Sequence, residues 1–270
     1  MEVMSRRAAL AALAGFGPSG FLGDARGVAL LLDFRSRRVV ASEGGPLARS
    51  WIAPPGSTMK PFTLHALLEA RKIGAGEQFV CPGKLVIAGR SFACSHPRLS
   101  VPVRIPTALA YSCNCFVAHF AQRFEPGELA RRLTRAGFTG QVEAAATVEA
   151  GQLQAIGEGH VLVTPYELLM AYHRLASLVQ TTAMAPILEG LEGAVEFGTA
   201  QRARVARLRV AGKTGSVTTT EGAHVAWFAG FAPARAPEFV VTVAVQGRSG
   251  GADASPIAGS MLQKYAARRL

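Results

Sequence analysis

Residues 27–32 (GVALLL) form an unbroken apolar run. A polar stretch at 33–37 follows and 38–41 (RVVA) turns apolar again, which is the pattern of a β-hairpin. Pro54, Pro55 and Gly56 then break the chain just before a helical period at 58–70, where Leu64, Leu67 and Leu68 share a face. The segment 74–102 reads as loop. Short helical pieces are expected at 107–111 and 116–123, on either side of Ser112-Cys113-Asn114-Cys115. Longer ones follow at 128–136, 165–178 and 186–199. Beyond residue 200 the period changes. Segments 207–211, 224–231 and 239–246 carry β-branched and aromatic residues between turns, and 256–267 closes the chain with an amphipathic helix.

Strand-like patterning is thus confined to the chain ends. This predicts an α+β, two-lobe fold: a five-stranded antiparallel sheet from 27–33, 37–42, 207–213, 224–231 and 239–246, with a mainly helical lobe spanning about 58–200. The chain divides into a segment 1–26, read as an export signal or a disordered stretch, and one domain over 27–270. No internal repeat is visible.

With 270 residues, 49% of them hydrophobic and only 17% charged, the chain can bury a full core without disulfide staples. The net charge of +11 raises the question of nucleic acid. However, 24 of the 29 basic residues are Arg, scattered rather than clustered or alternated with aromatics. Such a surface suits anionic cell-envelope polymer or lipid as well, so nucleic acid is not expected as a partner and peripheral association with the envelope is. Arg6 and Arg7 ahead of a small apolar run weakly resemble a twin-arginine signal, which points to a periplasmic or extracytoplasmic location.

Three short motifs carry candidate chemistry. Ser57-Thr58-Met59-Lys60 places a hydroxyl and an amine three residues apart on one helical turn. A buried lysine is pushed toward its neutral form and can then take the serine proton. The second motif is Ser112-Cys113-Asn114, at a break between helical pieces; its hydroxyl can relay a proton and its amide can hold lysine or substrate. The third is Lys213-Thr214-Gly215-Ser216, following an apolar strand expected to end near Ala211. Its charge and hydroxyls suit a substrate carboxylate, and Gly215 admits a substrate backbone. Each motif alone is common. In this order they are much harder to obtain by chance, and only five lysines occur in the chain.

With its flanking segments the chain resembles the transpeptidase domain of penicillin-binding proteins. The resemblance rests on APPGSTMKPF (53–62), ALAYSCNCF (108–116), AIGEGHVLVTPYELLMAYHRLA (155–176), GTA (198–200) before VAGKTGS (210–216), HVAWFAGFAP (224–233) and GGADASPIAGSMLQKY (250–265). CPG…FACSH (81–96) is most similar to monofunctional, elongation-type members. Those members carry a membrane anchor and a pedestal domain, whereas the similarity here starts near residue 27. The resemblance implies that Ser57 is the nucleophile, Lys60 the base and Ser112 the proton relay. It makes Asn114 a substrate-orienting residue and Lys213, Thr214 and Ser216 the carboxylate anchor, with an oxyanion hole from the Ser57 and Ser216 N–H groups. The implied substrates are acyl-D-Ala-D-Ala stem peptides of peptidoglycan, with penicillins as acylating mimics, and no metal or organic cofactor is implied.

Two other functions share these motifs. A class D-like serine β-lactamase has S-x-x-K and K-T-G, but usually S-x-V where this chain has Ser112-Cys113-Asn114. A sensor module would acylate without turnover. The four cysteines, 81, 94, 113 and 115, do not follow a standard zinc spacing. In an exported protein Cys81 and Cys94 are the expected bridging pair, with Cys113 buried and unbridged; otherwise the thiols are free and buried. His96 reads as a surface or loop residue, and Trp227 and Phe228 as core.

Overall fold

The apolar runs at the two chain ends meet in one sheet. The computed structural model describes residues 20–94, 96–98 and 100–267. Strand β1 (Gly27–Asp33) pairs with β2 (Val39–Glu43) on one side and β9 (Phe239–Gln246) on the other, with Leu32 opposite Val240. β8 (His224–Ala232) and β7 (Ala211–Thr218) complete an antiparallel sheet in the order β2-β1-β9-β8-β7. The sheet is covered on both faces, which is why its strands read as continuous apolar runs. Val28, Leu30 and Leu32 face the helical lobe, while Ala29 and Leu31 face the C-terminal helix α8 (Ser255–Ala266) through Met261 and Leu262.

The helical lobe is built on α1 (Lys60–Glu69), whose residues from Lys60 to Leu67 are all buried. The expected apolar stripe understates this helix, which is enclosed on nearly every side. Around it lie α2 (Ile105–Ala110), α3 (Asn114–Ala121), α4 (Glu128–Ala136), α5 (Val148–Ile156), α6 (Pro165–Ala176) and α7 (Ala185–Glu196). The segment read as loop contains a hairpin, β3 (Lys84–Ile87) with β4 (Arg90–Ala93). A two-residue pairing of β5 (Gln141–Val142) with β6 (Val161–Leu162) was also not foreseen.

The strand expected at 207–213 is displaced. Arg207 has φ 62° and Val205 bridges to Leu208, so a tight turn occupies the expected strand start. β7 begins at Ala211, and its ladder with β8 continues through Ser216 opposite Ala226 to Thr218. Lys213–Ser216 therefore lie within the edge strand, not beyond it. At the other end, residues 20–26 are held against the sheet, with the Phe21 and Leu22 amides donating to the Glu43 carboxylate at 2.6 and 2.8 Å. The rest of the expected signal, including Arg6 and Arg7, lies outside the described residues.

Trp227 on β8 joins the lobes: its ring is fully buried and its Nε1 donates to the Pro54 carbonyl at 3.0 Å. Trp227→Ala should cost about 3–5 kcal/mol through the cavity it leaves. Trp227→Phe should cost about 1–3 kcal/mol, since it leaves that carbonyl without its donor. Urea denaturation of both variants measures this; equal, small losses would mean that the tryptophan does not tie the lobes together.

Candidate active site

The segment that carries Ser57, the expected nucleophile, is held from several sides. A 3-10 turn, Gly56–Met59, runs directly into α1, and Ser57 is its second residue. Gly56 has φ 54°, and a Cβ there would lie 2.6 Å from Val217 Cγ1, so only glycine fits. Its N–H donates to the Gly157 carbonyl at 2.9 Å. The Tyr172 hydroxyl donates to the Thr58 carbonyl at 2.9 Å, and Thr63 Oγ1 donates to the Ala155 carbonyl at 2.8 Å. Three hydrogen bonds and the close approach of Val217 thus hold this turn and the start of α1.

Lys60 is fully buried behind Ser57, which is itself half-buried. Its Nζ donates to Ser112 O at 2.8 Å, Ser112 Oγ at 3.2 Å and Asn114 Oδ1 at 2.5 Å. A direct Ser57 Oγ–Lys60 Nζ bond, expected from the i,i+3 spacing, is not among the bonds formed. Three acceptors on the 112–114 segment already match the three protons of an ammonium. Ser112 itself adopts φ 57°, a left-handed conformation that turns the chain between α2 and α3 and aims both its oxygens at Lys60. Burial lowers the Lys60 pKa from its ordinary value to about 8, with the neighbouring thiols and Glu158 opposing the drop.

The third motif forms the opposite wall. The groove, about 240 Å³, is lined by Ser57, Ser112, Asn114, Thr214, Gly215 and Ser216, with Ala93, Thr199, Ser249 and Gly251. A Cβ on Gly215 would lie 2.7 Å from the Pro55 carbonyl, so this glycine lets β7 close onto the nucleophile turn, a role distinct from the expected passage of substrate backbone. Ser216 is exposed to the groove, and its Oγ accepts from the Gly250 N–H at 3.0 Å. The Ser216 nitrogen lies 3.5 Å from the Cβ position of Gly56, so the two segments carrying the expected oxyanion donors run side by side. Thr199 Oγ1 is 2.8 Å from Thr214 Oγ1. Thr199 was missed as a site residue, although GTA ahead of the third motif was its signal. Lys213 does not line the groove. It is fully buried, donates to the Thr214 carbonyl at 3.2 Å, and has a pKa held well below the ordinary lysine value by burial and then by the charge of Lys60.

The chain is similar to known proteins in sequence and fold. The model of the penicillin binding protein transpeptidase domain matches residues 27–263. The chain belongs to that family. Among curated proteins, Stage V sporulation protein D of Bacillus subtilis (strain 168) is 26% identical over 269 residues; the match takes 77% of this chain and 41% of that protein. The chain thus spans about two fifths of that relative. Among solved structures, Pseudomonas aeruginosa PBP2 in complex with WCK 5153 superposes with a TM-score of 0.75 at 18% identity, covering 90% of this chain and 72% of that one. The Helicobacter pylori PBP2 of the complex with MreC gives 0.80 at 16% identity, covering 93% and 62%. A peptidoglycan glycosyltransferase from Burkholderia ambifaria gives 0.74 at 23%, covering 89% of each. At these identities the structures show a shared fold.

Within this family fold the β3–β4 hairpin walls one side of the groove. Asn114 Nδ2 donates to the Ala93 carbonyl at 3.0 Å, and Arg90 pairs with Glu158 at 2.9 Å. The hairpin also changes the reading of the cysteines. All four are free thiols, and Cys81 is no closer to Cys94 (3.7 Å between sulfurs) than to Cys113 (3.5 Å). Cys94 is also 3.7 Å from Cys113 and 3.5 Å from Cys115. The expectation of one Cys81–Cys94 pair with Cys113 apart is therefore corrected to a cluster of four. Cys113 is buried, as expected, and its sulfur caps α3 by accepting from the Phe116 N–H at 3.4 Å. Nor is His96 a plain loop histidine. One of its ring nitrogens lies with the sulfurs of Cys81, Cys94 and Cys113, all four atoms within 4.8 Å of one another. Such a set could hold a soft divalent cation, and the linear spacing hid it because the hairpin assembles it.

If Lys60 is the base, acylation should rise about tenfold per pH unit below about 8 and level off above it, because the neutral amine is the reactive form. Asn114→Asp puts a carboxylate against Nζ and should move that inflection upward by about one unit or more. An unmoved inflection in stopped-flow acylation of this variant would assign the titration to another group.

Proposed function

We propose that this chain is a serine acyl-transfer enzyme acting on acyl-D-Ala-D-Ala peptidoglycan stem peptides, as a D,D-transpeptidase or D,D-carboxypeptidase, and that β-lactams acylate Ser57. The observation that carries this reading is the buried Lys60, tied to Ser112 and Asn114 one helical turn from a groove-facing serine.

The amine of Lys60 takes the Ser57 proton as Oγ attacks the carbonyl between the two D-alanines. Negative charge on the carbonyl oxygen is met by the Ser57 and Ser216 N–H groups, fixed in place before reaction. Collapse breaks the C–N bond, and the departing D-alanine amine takes its proton through Ser112. An incoming amine or water then attacks the acyl-enzyme. Thr214 and Ser216 offer hydroxyls to the terminal carboxylate, while the buried Lys213 adds positive charge only in its protonated form, which burial and Lys60 disfavour. A carbamylated lysine, as in class D β-lactamases, needs apolar surroundings. Three oxygens around Nζ disfavour it here.

Such substrates place the enzyme outside the cytoplasm, in the periplasm or on the envelope surface, where its +11 charge favours contact with anionic polymer. No helix among the described residues is long and apolar enough to cross a membrane.

Labelled penicillin with intact mass over time tests the reading. A lasting adduct on Ser57, absent in Ser57→Ala, is expected. Lys60→Ala should slow labelling about 10²–10⁴-fold with the fold intact. A burst that clears within seconds with continued hydrolysis would make the chain a β-lactamase, and no adduct at all would remove serine acyl-transfer.

A further inference from the structure

One end of the five-stranded sheet carries a second cavity that the chemistry above does not use. It holds about 270 Å³ and is lined by Arg26, Leu47, Ser50, Trp51 and Gln246. We propose that this cavity binds the glycan strand of peptidoglycan, a β-1,4-linked chain of N-acetylated sugars, with the Trp51 ring as its platform. The inference rests on the function proposed above and adds to it a second grip on the same polymer.

Backbone bonds hold Trp51 in place. It follows a 3-10 turn, Gly45–Arg49, and its N–H donates to the Leu47 carbonyl at 2.9 Å. Just beyond it, Ala53 exchanges hydrogen bonds with Val163 at 2.9 and 3.1 Å. The Trp51 side chain is half-buried and packs against the core, so its position is fixed while it still lines the cavity. Among the described residues, the Trp51 indole N–H, the Arg26 guanidinium and the Gln246 amide have no hydrogen-bond partner. Ser50 Oγ donates to the Pro46 carbonyl at 3.0 Å and keeps its lone pairs to accept with.

This lining matches a sugar. A pyranose ring has an apolar face of C–H bonds and a rim of hydroxyl and acetamido groups. An indole face suits the first, and guanidinium, amide and hydroxyl groups suit the second. Leu47 adds apolar surface for an acetamido methyl. No carboxylate or thiol lines the cavity, so it offers nothing to a cation, and its three exposed polar side chains leave no apolar slot for an acyl chain. The cavity also lies within reach of the groove. Val217, next to Ser216, stands opposite Val225, and Val225 stands opposite Gln246. Two strand spacings make about 10 Å. Ser249, a short step along the chain from Gln246, lines the groove itself. An extended stem of about four or five residues spans about 13–18 Å. A strand seated on Trp51 therefore brings its own stem peptide to Ser57, and holding the polymer at two points raises the local concentration of that stem.

The test uses the full chain and a soluble tetramer of β-1,4-linked N-acetylglucosamine. Calorimetry should give a Kd of about 1 mM. The tetramer should also shift the tryptophan fluorescence, because Trp227 is fully buried and Trp51 is the other of the two tryptophans. Trp51→Ala should weaken binding by about tenfold or more, and Trp51→Phe by less, since a ring remains. Arg26→Ala and Gln246→Ala change exposed positions and should each weaken it about threefold, which keeps the test valid if Trp51→Ala does not fold. In turnover, the KM for glycan-linked stem peptide divided by the KM for the free peptide should rise about threefold in Gln246→Ala. No heat up to about 10 mM sugar, or binding that all of these variants leave intact, would overturn the site. Heat from phosphatidylglycerol vesicles and none from the tetramer would make this a lipid contact and overturn it as well. An unmoved KM ratio would overturn its part in substrate capture. Calorimetry needs no turnover, so a chain that binds the tetramer but is never labelled by penicillin would remove the acyl-transfer reading and leave the sugar site standing.

Discussion

A lysine nitrogen that is withdrawn from water must be given oxygens by the fold, and which oxygens it receives decides what it can do. Lys60 has no exposure, and all of its hydrogen bonds run to one short segment, Ser112–Asn114. Those bonds cross between α1 and the α2–α3 junction, elements about fifty residues apart in the chain. They hold the amine in place while burial keeps its proton weakly bound. Moving the 112–114 segment would move the base, and the left-handed backbone at Ser112 is part of what keeps it there.

Around that nitrogen the structure brings backbones together where side chains would not fit. Gly56 lies against Val217 and Ser216 on β7, Gly157 against the Gly56 carbonyl, and Gly215 against the Pro55 carbonyl. These contacts set the width of the groove, because the nucleophile turn and the edge strand have no side chains between them. The Trp227 ring, anchored to Pro54, fills the space beneath. The two buried lysines lie on opposite sides of this seam. Burial holds both toward neutrality, and the charge of Lys60 adds to that at Lys213.

The β3–β4 hairpin is the part of the wall least supported by apolar packing. Both strands are short, and most of their residues are exposed or half-buried. Ile87 is its one buried core residue, with Leu85 and Phe92 packed against the core, and its polar attachments are the Asn114 amide, the Arg90–Glu158 pair and the sulfur cluster at its base. A surface ion pair contributes little to such an attachment. The position of this wall therefore rests on the Ile87 contact, the Asn114 hydrogen bond and the sulfur cluster together.

Much of this was present in the order of residues. Apolar runs at 27–32 and 239–246 specified buried strands, and one shared sheet was expected because strand-like patterning occurs only at the chain ends. Three motifs in order pointed to Ser57, Lys60, Ser112, Asn114 and the third-motif hydroxyls, since hydroxyl–amine chemistry needs those types at those spacings. What sequence could not supply were distances between segments far apart in the chain. It placed Lys60 on Ser57, whereas tertiary packing gave its protons to Ser112 and Asn114. It placed Lys213 in the groove, whereas the structure buries it on the face of β7 that Ala211 and Val217 turn to the helical lobe. It paired Cys81 with Cys94 and left His96, Cys113 and Cys115 apart from them, because no local spacing links all five. Only the folding of a hairpin onto the start of α3 made them neighbours, and a linear pattern carries no information about which loop closes on which helix.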